Sequence, residues 1–328
     1  MNARTLASAS LVTAFAAVMP SQAADSQLLN LVMPDAVVVA GANVAQARTS
    51  QFGQYILSQI QQEDTGLQKL IAATGFDPTQ DVSETLAASN GKAGTGLLLA
   101  RGTFDPAKIA AAATGNNAVT ETYDGTTVIE DPNKTFGLAF PNAGIAVAGD
   151  LADVKAALDR VSAPSILPTS LSLQISQWSG NQDAWVISTV PLSTFHHGDV
   201  KREAKAEMNG QQAITPATVP GLNGQGVFQA IQSAAGGVKF GTNDVITAQA
   251  QADNAQNAQS MADALKFLVS LAQMQAGQEP AVAALAQSLQ VSVSGTTLNL
   301  SVGIPEATLE QVLAHSNGKP AHKGIHGQ

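Results

Sequence analysis

Apolar positions along this chain recur with two periods, near two in some stretches and near 3.6 in others, so the pattern mixes strands with helices. Val37 to Val44 alternates in part and reads as a strand. In "SQFGQYILSQI", Phe52, Tyr55, Ile56 and Ile60 return at helical spacing, with Ser50 placed as an N-cap. A second helix runs from Gly66 to Ala73 and ends at Gly75. "TGLLLARGTF" reads as a buried strand and "DPAKIAAAAT" as a short helix. "AVTETYDGTTVIED" carries the clearest hairpin signal, because Asp124-Gly125 supplies the positive φ of a type I′ turn. "KTFGLAFPNAGIAVAGD" gives another strand pair that turns between Pro141 and Gly144. Asp150 then caps a helix that carries Val154, Ala157, Leu158 and Val161 on one side.

The pattern breaks at "SAPSILPTS", Ser162 to Ser170, and resumes with similar elements. "DAWVISTV" reads as a strand and "VFQAIQSAA" as a helix. "GVKFGTNDVITAQAQA" reads as a hairpin turning at Asn243-Asp244. A helix from Asn254 to Ala276, a helix from Pro280 to Leu289, the hairpin "LQVSVSGTTLNLSVG" and a helix from Pro305 to Ala314 follow. Each half thus ends on a hairpin and a capped helix. The expected fold class is α+β, in two similar halves related by an internal duplication, each an antiparallel sheet with helices packed on one face. The expected boundaries are 24–162 and 183–314 for the halves, 163–182 for a linker, 191–226 for a polar insertion and 315–328 for a disordered tail.

Residues 1–23 add a secretory signal to this picture. Arg4 supplies a positive start, Leu6 to Met19 an uncharged apolar run, and Ser21-Gln22-Ala23 a small-x-small cleavage site. The run is shorter than the ~20 residues of a membrane span, so the expected product is a soluble periplasmic or secreted protein with no span. The formal charge is −9, and −10 once Arg4 is removed, which argues against nucleic acid as a partner. The chain contains no cysteine, which rules out disulfides, thiol nucleophiles and thiolate metal sites.

Candidate chemistry gathers in "FHHGDVKREAKAEMNG". His196 or His197 with Asp199 and Glu203 would offer nitrogen and oxygen to a metal. The two histidines diverge if extended, and no HExxH is present, so a charged surface helix explains the segment more simply. His315, His322 and His326 lie among Gly and Pro in the tail, where ordering a metal site costs entropy. "SNGK" at Ser89 and again at Ser316 matches S-x-x-K, but Asn-Gly at its centre favours a turn over the helix that an acyl enzyme needs. Asp77 and Asp105, each followed by Pro, read as helix N-caps rather than catalytic carboxylates. "GLNGQG" lacks the preceding strand and the Lys-Ser/Thr of a phosphate loop. No catalytic residue and no cofactor is therefore assigned.

The stretch "LLNLVMPDAVVVAGANVAQARTSQFGQYILSQI", with "GFDPTQDVSETLAAS", "LLLARGTFDPAKI" and "AVAGDLADVKAALDR", resembles a group of uncharacterised exported bacterial proteins best represented in acidobacteria. The resemblance implies export and carries no catalytic residue. The expected function is non-enzymatic binding of an unknown protein or small-molecule ligand. A hydrolase with a dispersed active site, or weak metal sequestration by the His-bearing segments, stands as the alternative.

Overall fold

The computed structural model describes residues 24–63, 65–92, 95–191, 230–274 and 286–305. Seven strands come from the first half: β1 (Val38–Asn43), β2 (Val82–Ser89), β3 (Leu97–Gly102), β4 (Val119–Tyr123), β5 (Thr126–Glu130), β6 (Phe136–Asn142) and β7 (Ile145–Asp150). Five follow: β8 (Ala184–Ser188), β9 (Ile231–Lys239), β10 (Asn243–Ala252), β11 (Leu289–Ser294) and β12 (Thr297–Pro305). The helices are α1 (Ser26–Leu29), α2 (Val44–Ala47), α3 (Gln51–Glu63), α4 (Thr65–Thr74), α5 (Pro78–Asp81) and α6 (Pro106–Thr114). The last three are α7 (Leu151–Ser162), α8 (Thr169–Asn181) and α9 (Ala255–Met274).

The fold class is α+β, and every strand pair is antiparallel. The two expected sheets are joined edge to edge. All 12 strands form one sheet in the order β11-β12-β10-β9-β8-β1-β2-β3-β7-β6-β5-β4. The join is the pairing of β1 with β8, which sets Val39 opposite Ile187 and Gly41 opposite Trp185.

Register divides the sheet into two faces. On the first lie Val39, Leu86, Leu99, Val147, Trp185 and Ile187, buried under α7 (Val154, Ala157, Leu158) and α8 (Leu171, Ile175, Trp178). Further along this face the cross-strand pairs are Gln249–Asn299 and Thr247–Ser301, so here the surface of the sheet is polar. On the second face Leu298, Leu300, Val291 and Val293 pack beneath Met261 and Leu265 of α9. The same face of the first half lies under α2 to α6, so described helices cover both sides of that half.

Gly41 shows how closely the join is packed. A Cβ there would lie 2.6 Å from the Trp185 ring, so only hydrogen lets the indole lie across β1. Trp185 is also the register partner of Gly237 on β9, so a glycine flanks it on each side.

Several local expectations hold. Asp124 (φ 44°) and Gly125 (φ 74°) make the turn between β4 and β5. Asp77, Asp105 and Asp150 accept hydrogen bonds from helix N-terminal amides, and Ser50 Oγ accepts from Gly53 N at 2.8 Å. Three expectations need correction. Residues 231–235 of the expected helix "VFQAIQSAA" lie in β9, because that segment is paired on both sides, with β8 and with β10. The span read as a linker, 163–182, contains α8, whose Leu171, Ile175 and Trp178 at i, i+4 and i+7 enter the main core. The turn between β9 and β10 precedes Asn243, which already begins β10. The helices expected at 280–289 and 305–314 fall mainly outside the described residues.

One acid-sensitive contact ties the start of the described chain to the sheet. Asp25 meets Arg101 at 2.6 Å on β3 and caps α1 through Gln27 and Leu28. Burial alone would raise the Asp25 carboxyl, but Arg101 and the two amides outweigh it and hold it below its ordinary value. A carboxylate depressed in the folded state stabilises above its unfolded pKa of about 3.9, and that stability is lost as pH falls through the folded value. Glu84 works in the opposite sense. Burial raises its carboxyl, so its contribution weakens as pH rises through the folded value. Asp25→Asn is therefore expected to lower the thermal midpoint at neutral pH and to converge on the parent as the pH falls through the depressed Asp25 value. Midpoints measured across that range check this, and a constant difference at all pH values would contradict it.

Candidate functional site

Small residues on the second face create the most prominent feature of the first half. Ala42 on β1, Ala100 on β3, and Ala146 and Ala148 on β7 leave the sheet surface low. Above it, α3 presents Ile56, Leu57 and Ile60, and α4 and α6 contribute Leu70 and Ile109. The side chains do not meet across the gap, and a cavity of about 490 Å³ remains. That lies within the ~300–1,000 Å³ of small-molecule sites.

The elements that hold α3 above the sheet are well defined. Gly53 sits where a Cβ would strike the Ala47 carbonyl at 2.2 Å, so this position lets α3 turn tightly against α2. At the N-terminal end, Phe52 packs with Ile304 of β12 and Phe240, the two rings 6.1 Å apart. Helix α3 of the first half thus rests at this end on β12 of the second. At the far side Phe76, Phe104 and Phe140 form a ladder with successive centroids 5.4 Å apart.

Among the described residues, the lining contains no ionisable side chain. Its polar side chains are Asn43, Thr79 and Thr85. Asn43 Oδ1 caps α2 through Gln46 N at 2.8 Å. Thr79 Oγ1 donates to Asp77 Oδ1 and accepts from Gln61 Nε2, each at 2.7 Å. The described wall therefore offers apolar contact, and none of its described residues turns a base or a charge inward.

Two further cavities adjoin it. One of about 400 Å³ shares Leu98 and Ala148 with the first and adds Val38, Ala40, Ala87 and Phe136. Leu98 is 48% exposed and Phe136 50%, so this part is an open apolar groove. The other, of about 350 Å³, shares Leu57 and Thr79 and is otherwise polar, lined by Arg48, Gln54, Ser58, Gln61 and Gln80.

His196, His197, Asp199 and Glu203 lie outside the described residues, as do His315, His322 and His326. Among the described residues, no three His, Cys, Asp or Glu side chains group as metal ligands. Ser89 and Lys92 sit around a turn in which Ser89 Oγ donates to Thr95 O and Lys92 N donates to Asn90 Oδ1, with no serine–lysine contact. No described helix is long and apolar enough to cross a membrane. The cavity itself went unrecognised in the sequence. Its one signal was alanine at alternate positions of β1 (Ala40, Ala42) and β7 (Ala146, Ala148), which marks a sheet face that larger side chains do not fill.

The architecture is that of an α+β protein with one extended antiparallel sheet and a helix-roofed apolar cavity. The solved structures of TP0453 share this fold. Crystal form III superposes with a TM-score of 0.52 at 13% identity, over 88% of this chain and 97% of that one. Crystal form I gives 0.50 at 14%, over 89% and 98%. No protein-family model matches the sequence, and no characterised protein does at a significant level.

Proposed function

We propose that this chain is an exported, non-enzymatic binding protein whose ligand is an apolar chain held between α3 and the second face of the sheet. The observation that carries this reading is the cavity of about 490 Å³ whose described wall residues include no ionisable side chain. An apolar guest gains about 0.8 kcal/mol for each methylene taken from water. Ten buried methylenes give roughly 8 kcal/mol before the cost of immobilisation, which leaves a dissociation constant at or above about the micromolar range. The neighbouring groove past Leu98 and Ala148 lets a longer chain continue beyond the roofed part.

The signal-like residues 1–23 and the resemblance to uncharacterised exported proteins support a periplasmic or secreted location, where an apolar molecule needs a carrier to cross water. Duplication of one α+β unit would account for the repeated order of hairpin and capped helix.

Ala148 provides the test, because it is half-buried and borders both apolar cavities. Phenylalanine at this position fills space that is already open, so Ala148→Phe is expected to shift stability by less than about 1 kcal/mol. Binding of a neutral fluorescent apolar probe should weaken by about ten-fold or more. Full retention of binding in a folded variant would remove the cavity as the site.

A further inference from the structure

The polar compartment beside the cavity contains a guanidinium set for an anion. Arg48 is half-buried between α2 and α3. Its Nη1 donates to Thr79 O at 3.0 Å and to Val82 O at 2.8 Å, which engages both hydrogens on that nitrogen and fixes the plane of the group. The Nε–H and Nη2 hydrogens form the edge that takes a carboxylate through two parallel bonds. Among the described residues Arg48 belongs to no ion pair. The two carboxylates of the adjoining α5 region are engaged elsewhere. Asp77 is bonded to Thr79 and Gln61, and Asp81 to the Asp77 amide. Gln54, Ser58, Gln61 and Gln80 complete a compartment that borders the apolar cavity at Leu57 and Thr79.

We infer that the ligand is an amphiphile with a carboxylate head, received by the free edge of Arg48, while its chain runs past Leu57 into the apolar cavity. This rests on the apolar-chain reading and adds the chemistry of the head. Carboxylate fits the arrangement better than a phosphate diester, because a single bidentate edge matches a planar monoanion.

The test compares three ligands with the same chain, hexadecanoate, 1-hexadecanol and hexadecyl phosphate, displacing a neutral fluorescent probe from the full-length protein. The pH is set at about 8, far above the ordinary carboxylate range near 4. Hexadecanoate is expected to displace the probe at a concentration about ten-fold lower than the alcohol. Arg48→Ala should erase that ratio, and Arg48→Lys should keep part of it. Equal affinity for acid and alcohol in the parent protein overturns the assignment of the head while the apolar cavity stands. No displacement by any of the three overturns both. Tighter binding of the phosphate than of the carboxylate overturns the choice of carboxylate. If Arg48→Ala does not fold, the parent ratio and Arg48→Lys decide the matter. A loss confined to the acid supports the proposal, and an equal loss for acid and alcohol overturns it.

Discussion

Trp185→Ala is expected to destabilise the protein by about 3–5 kcal/mol, read as a shift of the urea midpoint. The side chain is only 6% exposed, and its ring belongs to the main core with Val39, Leu86 and Ile187. The position is unusual because both register partners, Gly41 and Gly237, are glycines. No neighbouring Cβ stands ready to close over the space that the indole vacates, and the void would open at the pairing that joins the two halves. Repacking cannot fill it cheaply, so the upper part of the range applies. Two separate unfolding transitions in the variant would show that the ring also couples the halves. A midpoint near that of the parent would show that it does neither.

The second large effect is expected from Lys239→Ala. Lys239 Nζ lies 2.7 Å from Asp183 Oδ1, and Phe240 N donates to Oδ2 at 2.8 Å. The Asp183 side chain is 1% exposed and that of Lys239 is 40%. Losing the lysine leaves a carboxylate in a dry site with one amide for support. Removing one partner of a buried pair costs about 3–5 kcal/mol. The exposure of Lys239 and the surviving amide place this case lower, at about 2–3 kcal/mol. The Asp183 backbone links neighbouring strands as well, accepting from Asn43 N at 2.7 Å and donating to Val238 O at 2.8 Å. A double-mutant cycle with Asp183→Asn, followed by chemical denaturation, isolates the pair. A coupling near zero would assign the stability to the backbone bonds instead.

Features decided within a few residues were legible in the sequence. The Asp124-Gly125 turn needs positive φ, and Asp77, Asp105 and Asp150 precede helices whose first amides need acceptors, so residue type alone placed them. The strand β9 was not legible, because "QAIQSAA" has the composition of a helix. Hydrogen bonds from β8 and β10 on its two sides override that preference, and β8 is distant in sequence. Helix α8 was hidden by Pro164 and Pro168, which punctuate its approach, although Leu171, Ile175 and Trp178 held the helical spacing. The cavity was least visible of all. Ala42, Ala100, Ala146 and Ala148 are ordinary strand residues until register sets them side by side under α3. Charged "FHHGDVKREAKAEMNG" drew the search for chemistry because polarity stands out in a sequence, whereas empty space leaves only small side chains as its mark.

The place of β1 in the sheet also orders events in time. It is the first strand of the chain, yet it ends up interior, with β2 on one side and β8 on the other. Val38 can meet Ser89 early, but its other partner is Ser188, which is made only after all of the first half. Until then one row of β1 amides and carbonyls stays open, as on any unpaired edge. Such a high contact order slows folding and lengthens the exposure. A chain that completes its middle last leaves that unfinished edge open to other chains for as long as it grows.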